Sequence, residues 1–297
     1  MSTIQKEEIS STTEAAGVDT GRRAFLKKGA SGLTIISLTT PSIGNISGSD
    51  EFEVVHKTVH MPGLPAKLRG LRLAMISDIH SGPYMSRDEM MPFVDRINRL
   101  RPDVVLIPGD FVDRDNEQAE AVCDALSKLK ARYGVYGSTG NHDYFADADY
   151  VSNELQHAGV RMLRNEHALL DIRGEQLALI GLDDVRTGHP FDALFKQAVN
   201  GLRPGTPNIV LCHKPYYLEE ASEWGVDLMV SGHTHGGQIV LARIFGTVIT
   251  PATLLSGYVE GLYRLDRTQL YVTRGIGTVG LPVRINCPPE ITVLTLA

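Results

Sequence analysis

Apolar residues fall into short runs closed by turn-forming residues: Leu71 to Ser77, Val104 to Pro108, Val135 to Thr139, Leu177 to Leu182, Ile209 to Cys212, Leu228 to Ser231, Leu270 to Thr273 and Ile291 to Leu296. Their length and bounding residues predict strands. Stretches of helical period lie between them, at 87–100, 117–131, 147–158, 191–200 and 216–224. This alternation predicts an α/β fold with a layered sheet core. The further strand-like segments Phe52 to Val59 and Ala168 to Ile172 are more than one simple doubly wound sheet needs, so two sheets are expected.

The first fifty residues lack this pattern. Residues 1–20 are rich in Ser, Thr and Glu and are expected to be disordered. Arg22-Arg23 with Phe25-Leu26-Lys27, then a weakly apolar run from Gly29 to Thr40 and Pro41, resembles a bacterial twin-arginine signal over 21–48. The apolar run is too short to span a bilayer. Such a leader implies passage through the twin-arginine export machinery in the folded state. The expected location is the periplasm, the cell wall or the outer face of the cytoplasmic membrane, with the leader either cleaved or kept as a tether. Residues 52–297 are then expected to form the folded domain.

Composition narrows the chemistry. With 29 basic and 35 acidic residues the formal net charge is -6, so the overall field repels polyanions and no nucleic-acid partner is expected. Three scattered cysteines, Cys123, Cys212 and Cys287, form neither a disulfide framework nor a thiolate zinc site. Any metal must be held by His, Asp and Asn.

Five of the predicted strands run into turns that open with such residues: Asp78-Ile79-His80, Gly109-Asp110-Phe111-Val112-Asp113, Gly140-Asn141-His142-Asp143, His213-Lys214-Pro215 and Gly232-His233-Thr234-His235. Ligands of open α/β sheets bind beyond the carboxyl ends of strands, so these turns are expected to converge along one sheet edge. The glycines are expected to permit positive φ. Asp183-Asp184, with Arg186, ends another strand and is a candidate substrate contact. His56, His60, His157, His167 and His189 match no motif. The apolar stretch from Ile239 to Val259 is broken by Gly246, Pro251 and Gly257, which argues against a membrane span; a strand plus an apolar loop is expected, and peripheral membrane contact through that loop.

The ordered set D-x-H, G-D-x-x-D, G-N-H-D, a lone H and G-H-x-H is similar to the calcineurin-like metallophosphoesterase superfamily over residues 71–297. The tail from Arg274-Gly275-Ile276-Gly277 through Pro282-Val283-Arg284 to Pro288-Pro289-Glu290-Ile291, with the leader, resembles its exported YkuE/YaeI-type branch. The resemblance implies a four-layer α-β-β-α sandwich with two mixed sheets. It implies two divalent metal ions (manganese, iron or zinc), with Asp110 bridging, Asp78, His80 and His235 completing one site, and Asn141, His213 and His233 the other. It further implies that a phosphoester substrate (phosphodiester, phosphomonoester or lipid-linked pyrophosphate) is hydrolysed by direct attack of a hydroxide shared by the metals, with His142 as acid and Asp143 orienting its ring. Asp113 would anchor a ligand histidine. The superfamily often continues the second motif with Arg-Gly, whereas Asp115 follows Arg114 here. The alternatives within the resemblance are a nuclease and a non-catalytic, protein-binding scaffold; the scaffold reading expects lost ligands, and all seven are in place.

Overall fold

The computed structural model describes residues 51–185, 190–244, 247–254 and 256–297, together with the strand segments Gln5–Lys6, Glu14–Ala15 and Ile46–Ser47. The expected leader over 21–48 lies outside the described residues except for Ile46–Ser47, as does Arg186.

Two seven-stranded mixed sheets pack face to face. The first holds β1 (Glu53–Val59), β2 (Arg72–Met75), β3 (Val104–Pro108), β4 (Val135–Ser138), β5 (Val160–Met162) and β15 (Glu290–Leu296), in the order β1-β15-β2-β3-β4-β5 with Glu14–Ala15 at its edge. The second holds β6 (Glu166–Ile172), β7 (Glu175–Gly181), β8 (Asn208–Leu211), β9 (Leu228–Ser231), β12 (Gly261–Leu265) and β13 (Thr268–Val272), ordered β12-β13-β9-β8-β7-β6, with Gln5–Lys6 beside β12. The pairs β2 to β5 are parallel, as are β7, β8, β9 and β13, while the outer pairs include antiparallel ones. The hairpin β10 (Ala242–Ile244) and β11 (Thr247–Ile249) and the short β14 (Arg284–Ile285) lie apart from the two sheets.

Side-chain alternation along each strand explains the four layers. Leu73, Met75, Val104 and Leu106 of the first sheet meet Leu177, Leu179, Ile209, Leu211 and Leu228 of the second. The opposite faces carry Ala74, Val105 and Ile107 against helices α1 (Arg87–Leu100), α2 (Gln118–Leu126) and α4 (Ala148–His157). On the far side Ala178, Ile180 and Val210 pack on α5 (Phe191–Ala198) and α6 (Leu218–Glu223). Strands buried on both faces must be apolar throughout, which is why Val104-Val105-Leu106-Ile107 shows no polar alternation. Helix α1 buries Met90, Phe93, Val94 and Ile97 on one face, and its start is fixed where Glu89 accepts the Ser86 amide at 2.8 Å.

The stretch from Ile239 to Val259 is the β10–β11 hairpin followed by a turn of 3-10 helix. Among the described residues no helix is long and apolar enough to cross a membrane.

Candidate metal centre

The five turns do converge, but from two sheets. Asp78, Asp110 and Asn141 follow β2, β3 and β4 of the first sheet, whereas His213 and His233 follow β8 and β9 of the second. The expectation of one shared edge is therefore corrected: both sheets end at the same side of the sandwich, and the site straddles the seam. Asn141 opens a five-residue helix, α3 (Asn141–Phe145).

The backbone is bent hard to do this. Asp78, His80, Asp110, His233 and His235 all adopt positive φ, at 50°, 47°, 54°, 71° and 53°. Each such residue costs on the order of 1 kcal/mol or more and persists only where surrounding bonds fix it. Those bonds are present: the Asp110 carbonyl accepts from the amides of Ile79 at 2.8 Å and His80 at 3.1 Å, tying the first two turns together. Gly140 and Gly232 answer to a different need than the one expected. Gly140 has φ of -112°, and a Cβ there would lie 2.2 Å from Asp110 Oδ1. At Gly232 a Cβ would lie 2.1 Å from Asp78 Oδ2. Carboxylates press on both positions, so a methyl group has no room.

Each carboxylate fixes one oxygen on the main chain. Asp110 Oδ1 accepts the His142 amide at 2.8 Å, and Asp78 Oδ1 accepts the His233 amide at 2.8 Å. Asp110 Oδ2 then faces Nε2 of His213 at 3.0 Å and Nε2 of His80 at 3.6 Å. His235 Nε2 lies 3.1 Å from His80 Nε2 and 3.5 Å from Asp78 Oδ1, and His233 Nδ1 lies 3.2 Å from His213 Nε2. The His213 Nδ1 bonds the Pro108 carbonyl at 2.8 Å. A carbonyl only accepts, so Nδ1 carries a hydrogen, and Nε2, which faces Asp110, is the ring nitrogen that a cation would take in place of a proton.

Donor atoms of Asp78, His80 and His235 lie within 4.8 Å of one another, as do those of Asp110, His213 and His233. Asp78 Oδ2 and Asn141 Oδ1 are buried without a hydrogen-bond partner among the described residues. Orphaned oxygens beside closely facing imidazoles fit divalent cations, which accept such donors without protons. The electrostatics agree. Burial opposes a charged His213 ring, but Asp110 outweighs it and pushes that imidazole up to about 10. Burial and the repulsion of His213 drive His233 down to about 3. Burial raises Asp78, while Asp110 is held far below the usual carboxylate range, burial being overcome by His213 and His80. Protons thus divide unevenly over a cluster in which several negative and neutral donors compete for positive charge.

His142 stands beside this cluster, its ring edge-on to His80 at 4.4 Å between centroids. The expected partner of its ring is replaced. Asp143 does not touch it; its carboxylate is wholly buried and accepts the amides of Gly140 at 2.8 Å, Asp110 at 3.1 Å, Phe111 at 2.8 Å and Val112 at 3.3 Å. Burial, then the charge of Asp110, pushes it up to about 7 against the pull of those amides. Neighbours i and i+1 on a helix point in different directions, so Asp143 holds the turn of Asp110 instead. Asp113 takes the role next to His142: its carbonyl lies 2.7 Å and its Oδ1 3.3 Å from His142 Nδ1, with the same Oδ1 3.6 Å from His80 Nδ1.

Asp183 and Asp184 are committed to cations of the protein. Asp183 is held by Arg164 and by Thr139, and Asp184 pairs with Lys214 at 2.9 Å. A cavity of about 310 Å³ opens beside the cluster, bounded by His80, Tyr84, Asp113, Arg114, Val279 and Gly280. Tyr84 and Val279 belong to no metal-ligand motif, and neither residue type alone marks a site.

A family model described as calcineurin-like phosphoesterase matches residues 71–237. The Bacillus subtilis metallophosphoesterase YkuE is 32% identical over 248 residues, covering 82% of this chain and 85% of that one. Two vertebrate proteins named transmembrane protein with metallophosphoesterase domain are similar as well. The one from Danio rerio is 35% identical over 276 residues, and the one from Bos taurus 31% over 295. The matches cover 88% and 94% of this chain but only 61% and 64% of the relatives' lengths.

Proposed function

With the chain a member of the calcineurin-like phosphoesterase family, and so a metal-dependent phosphoester hydrolase, we propose that it works with two divalent cations and without a covalent phosphoenzyme. The observation that carries this reading is Asp110: one carboxylate oxygen faces donors from both halves of the cluster, His80 and His213. Asp110 would bridge, Asp78, His80 and His235 would hold one cation, and Asn141, His213 and His233 the other. When bound, such a pair neutralises phosphoryl oxygens and lowers the pKa of a water from about 15.7 to near 7.

The remaining chemistry belongs to side chains of the chain. Asn141 offers an oxygen without charge, so the site keeps a net positive face toward an anionic ester. His142 Nδ1 must carry a hydrogen because it bonds the Asp113 carbonyl. That leaves Nε2 to hold the proton given to the departing alkoxide. Water is the nucleophile: Ser77 Oγ and Cys212 Sγ are bound to the Pro108 and Lys214 carbonyls.

The preferred substrate in this reading is an ester presented at a membrane surface of the cell envelope, a lipid-linked pyrophosphate or a phosphodiester. Leu241, Ile249, Val279 and Leu281 expose 68%, 38%, 37% and 62% of their surface on segments joined by Gln238, whose amide bonds the Val279 and Leu281 carbonyls. Val279 also bounds the cavity. Exposed apolar side chains gathered beside a site support contact with lipid, and the leader-like Arg22-Arg23 segment supports export. The test compares a model diester, a model monoester and a nucleoside-diphosphate lipid in vesicles, with wild type and a Leu241→Ser/Leu281→Ser double variant. Selective loss of vesicle substrate turnover in the variant is expected; equal turnover of all three substrates by both proteins rules the membrane reading out.

A further inference from the structure

Arg284 is enclosed, at 1% exposure, and every hydrogen bond its guanidinium makes among the described residues ends on a carbonyl oxygen or a sulfur. Nε and Nη2 reach the Gly277 carbonyl at 2.9 and 2.5 Å, and Nη2 also reaches that of Arg274 at 2.8 Å. Nη1 points the other way, to the His235 carbonyl at 3.3 Å and to Cys287 O at 3.4 Å and Sγ at 3.8 Å. The Cys287 thiol repeats this contact, donating to the carbonyls of His235 at 3.2 Å and Gly236 at 3.5 Å.

The two segments so joined carry one half of the metal cluster. Residues 274–277 lie flush under Asp78: the amides of Ile276 and Gly277 bond the Ser77 and Asp78 carbonyls at 3.0 and 2.8 Å, and a Cβ at Gly275 would stand 2.7 Å from Asp78 Cβ. Residues 235–237 carry His235 itself, in the left-handed region at φ 53°. A guanidinium presents its donors in a fixed fork, so it can lock two carbonyl-lined turns at one spacing, which a flexible ammonium cannot. Among the described residues no hydrogen bond of Arg284 or Cys287 ends on His213 or His233; His213 hangs on the Pro108 carbonyl and His233 on Asp78 Oδ1 through its amide.

We propose that Arg284, seconded by Cys287, is a positioning residue that fastens the main chain of His235 to the turn beneath Asp78 and so sets the affinity of the Asp78, His80, His235 site alone. The inference rests on the dinuclear reading above.

It is tested by titrating metal-stripped protein with Mn²⁺ in a calorimeter and by metal analysis after desalting, for wild type, Arg284→Gln, Arg284→Lys and Cys287→Ala, with near-ultraviolet circular dichroism as the check on folding. Wild type binds two Mn²⁺ per chain. Arg284→Gln and Arg284→Lys keep one step unchanged and weaken the other by about 10–100-fold, as loss of a group that orients a ligand does. Cys287→Ala weakens the same step by less. Two unchanged steps in Arg284→Gln, or equal weakening of both, overturn the inference while leaving the dinuclear reading intact. Should the arginine variants fail to fold, Cys287→Ala decides, and wild-type binding in it counts against the proposal. A wild type that takes up a single Mn²⁺ overturns the dinuclear reading itself, and this inference with it.

Discussion

His142 and Asp113 are coupled through two contacts, a 2.7 Å bond from ring Nδ1 to the Asp113 main-chain carbonyl and a 3.3 Å approach to its carboxylate. The first fixes the tautomer, and the second is a further contact on the same ring nitrogen. His142→Ala is expected to lower kcat by about 10²–10⁴-fold with metal content unchanged, more for poor leaving groups than for p-nitrophenolate. Steady-state kinetics on esters of graded leaving-group pKa check this. A uniform loss across the series removes His142 from the role of proton donor.

Asp143 is the anchor of the second turn. Replacing it with Ala leaves the amides of Gly140, Asp110, Phe111 and Val112 unanswered in a buried setting. The expected cost is on the order of 3 kcal/mol or more, since each unsatisfied buried donor forfeits about 1–3 kcal/mol. Denaturant unfolding of the metal-free protein measures it, and a change below about 1 kcal/mol contradicts the assignment.

Close packing of carboxylate on glycine gives a third expectation. Gly232→Ala sets a methyl carbon 2.1 Å from Asp78 Oδ2 and 2.4 Å from Ser77 Oγ, so Asp78 must move. A displacement of about 1 Å at a reacting centre costs on the order of 100-fold in rate. Activity and metal content of this variant should fall together while a control, Gly257→Ala, which meets open space at a backbone conformation any residue adopts, keeps both.

The thiols are guarded. Burial, with a smaller push from Glu154, lifts Cys123 to about 11, and burial with Asp184 lifts Cys212 to about 12; burial raises Cys287 too. The thiolate is the reactive form, and these shifts keep it scarce at pH 8. Iodoacetamide should therefore modify the native protein slowly at pH 8 and faster as pH rises toward 11, with all three cysteines reacting rapidly in denaturant. Rapid native labelling of Cys212 at pH 8 speaks against its enclosure.

Much of this was legible in the chain because buried strands are written in runs that admit no polar residue. Val104 to Pro108 and Leu228 to Ser231 match the observed strands end for end, and the apolar stripe of 87–100 gives helix α1 at both ends. The residues of the candidate metal cluster were visible for a related reason: a strand that stops at Asp or His, again and again, points to a use for that side chain. What stayed hidden depends on direction and on contacts across the chain. Helix α3 is only five residues long and shows no period, and β5, three residues at a sheet edge, carries too few side chains to show alternation. Asp143 follows His142 in sequence but points away from it, and Asp113 meets that ring from another turn. The division of the turns between two sheets is equally non-local, since nothing within a strand tells which neighbour it pairs with.

The central claim concerns Asp110, set between His80 and His213 as the shared anchor of two cations. Metal analysis of the purified protein, paired with hydrolysis of bis(p-nitrophenyl) phosphate before and after chelation and in Asp110→Asn, tests it most directly. Two transition-metal equivalents per chain are expected, with hydrolysis abolished by chelation, restored by added Mn²⁺ and absent in Asp110→Asn. Undiminished hydrolysis by the stripped protein, or an Asp110→Asn variant that keeps both metals and full activity, contradicts the account.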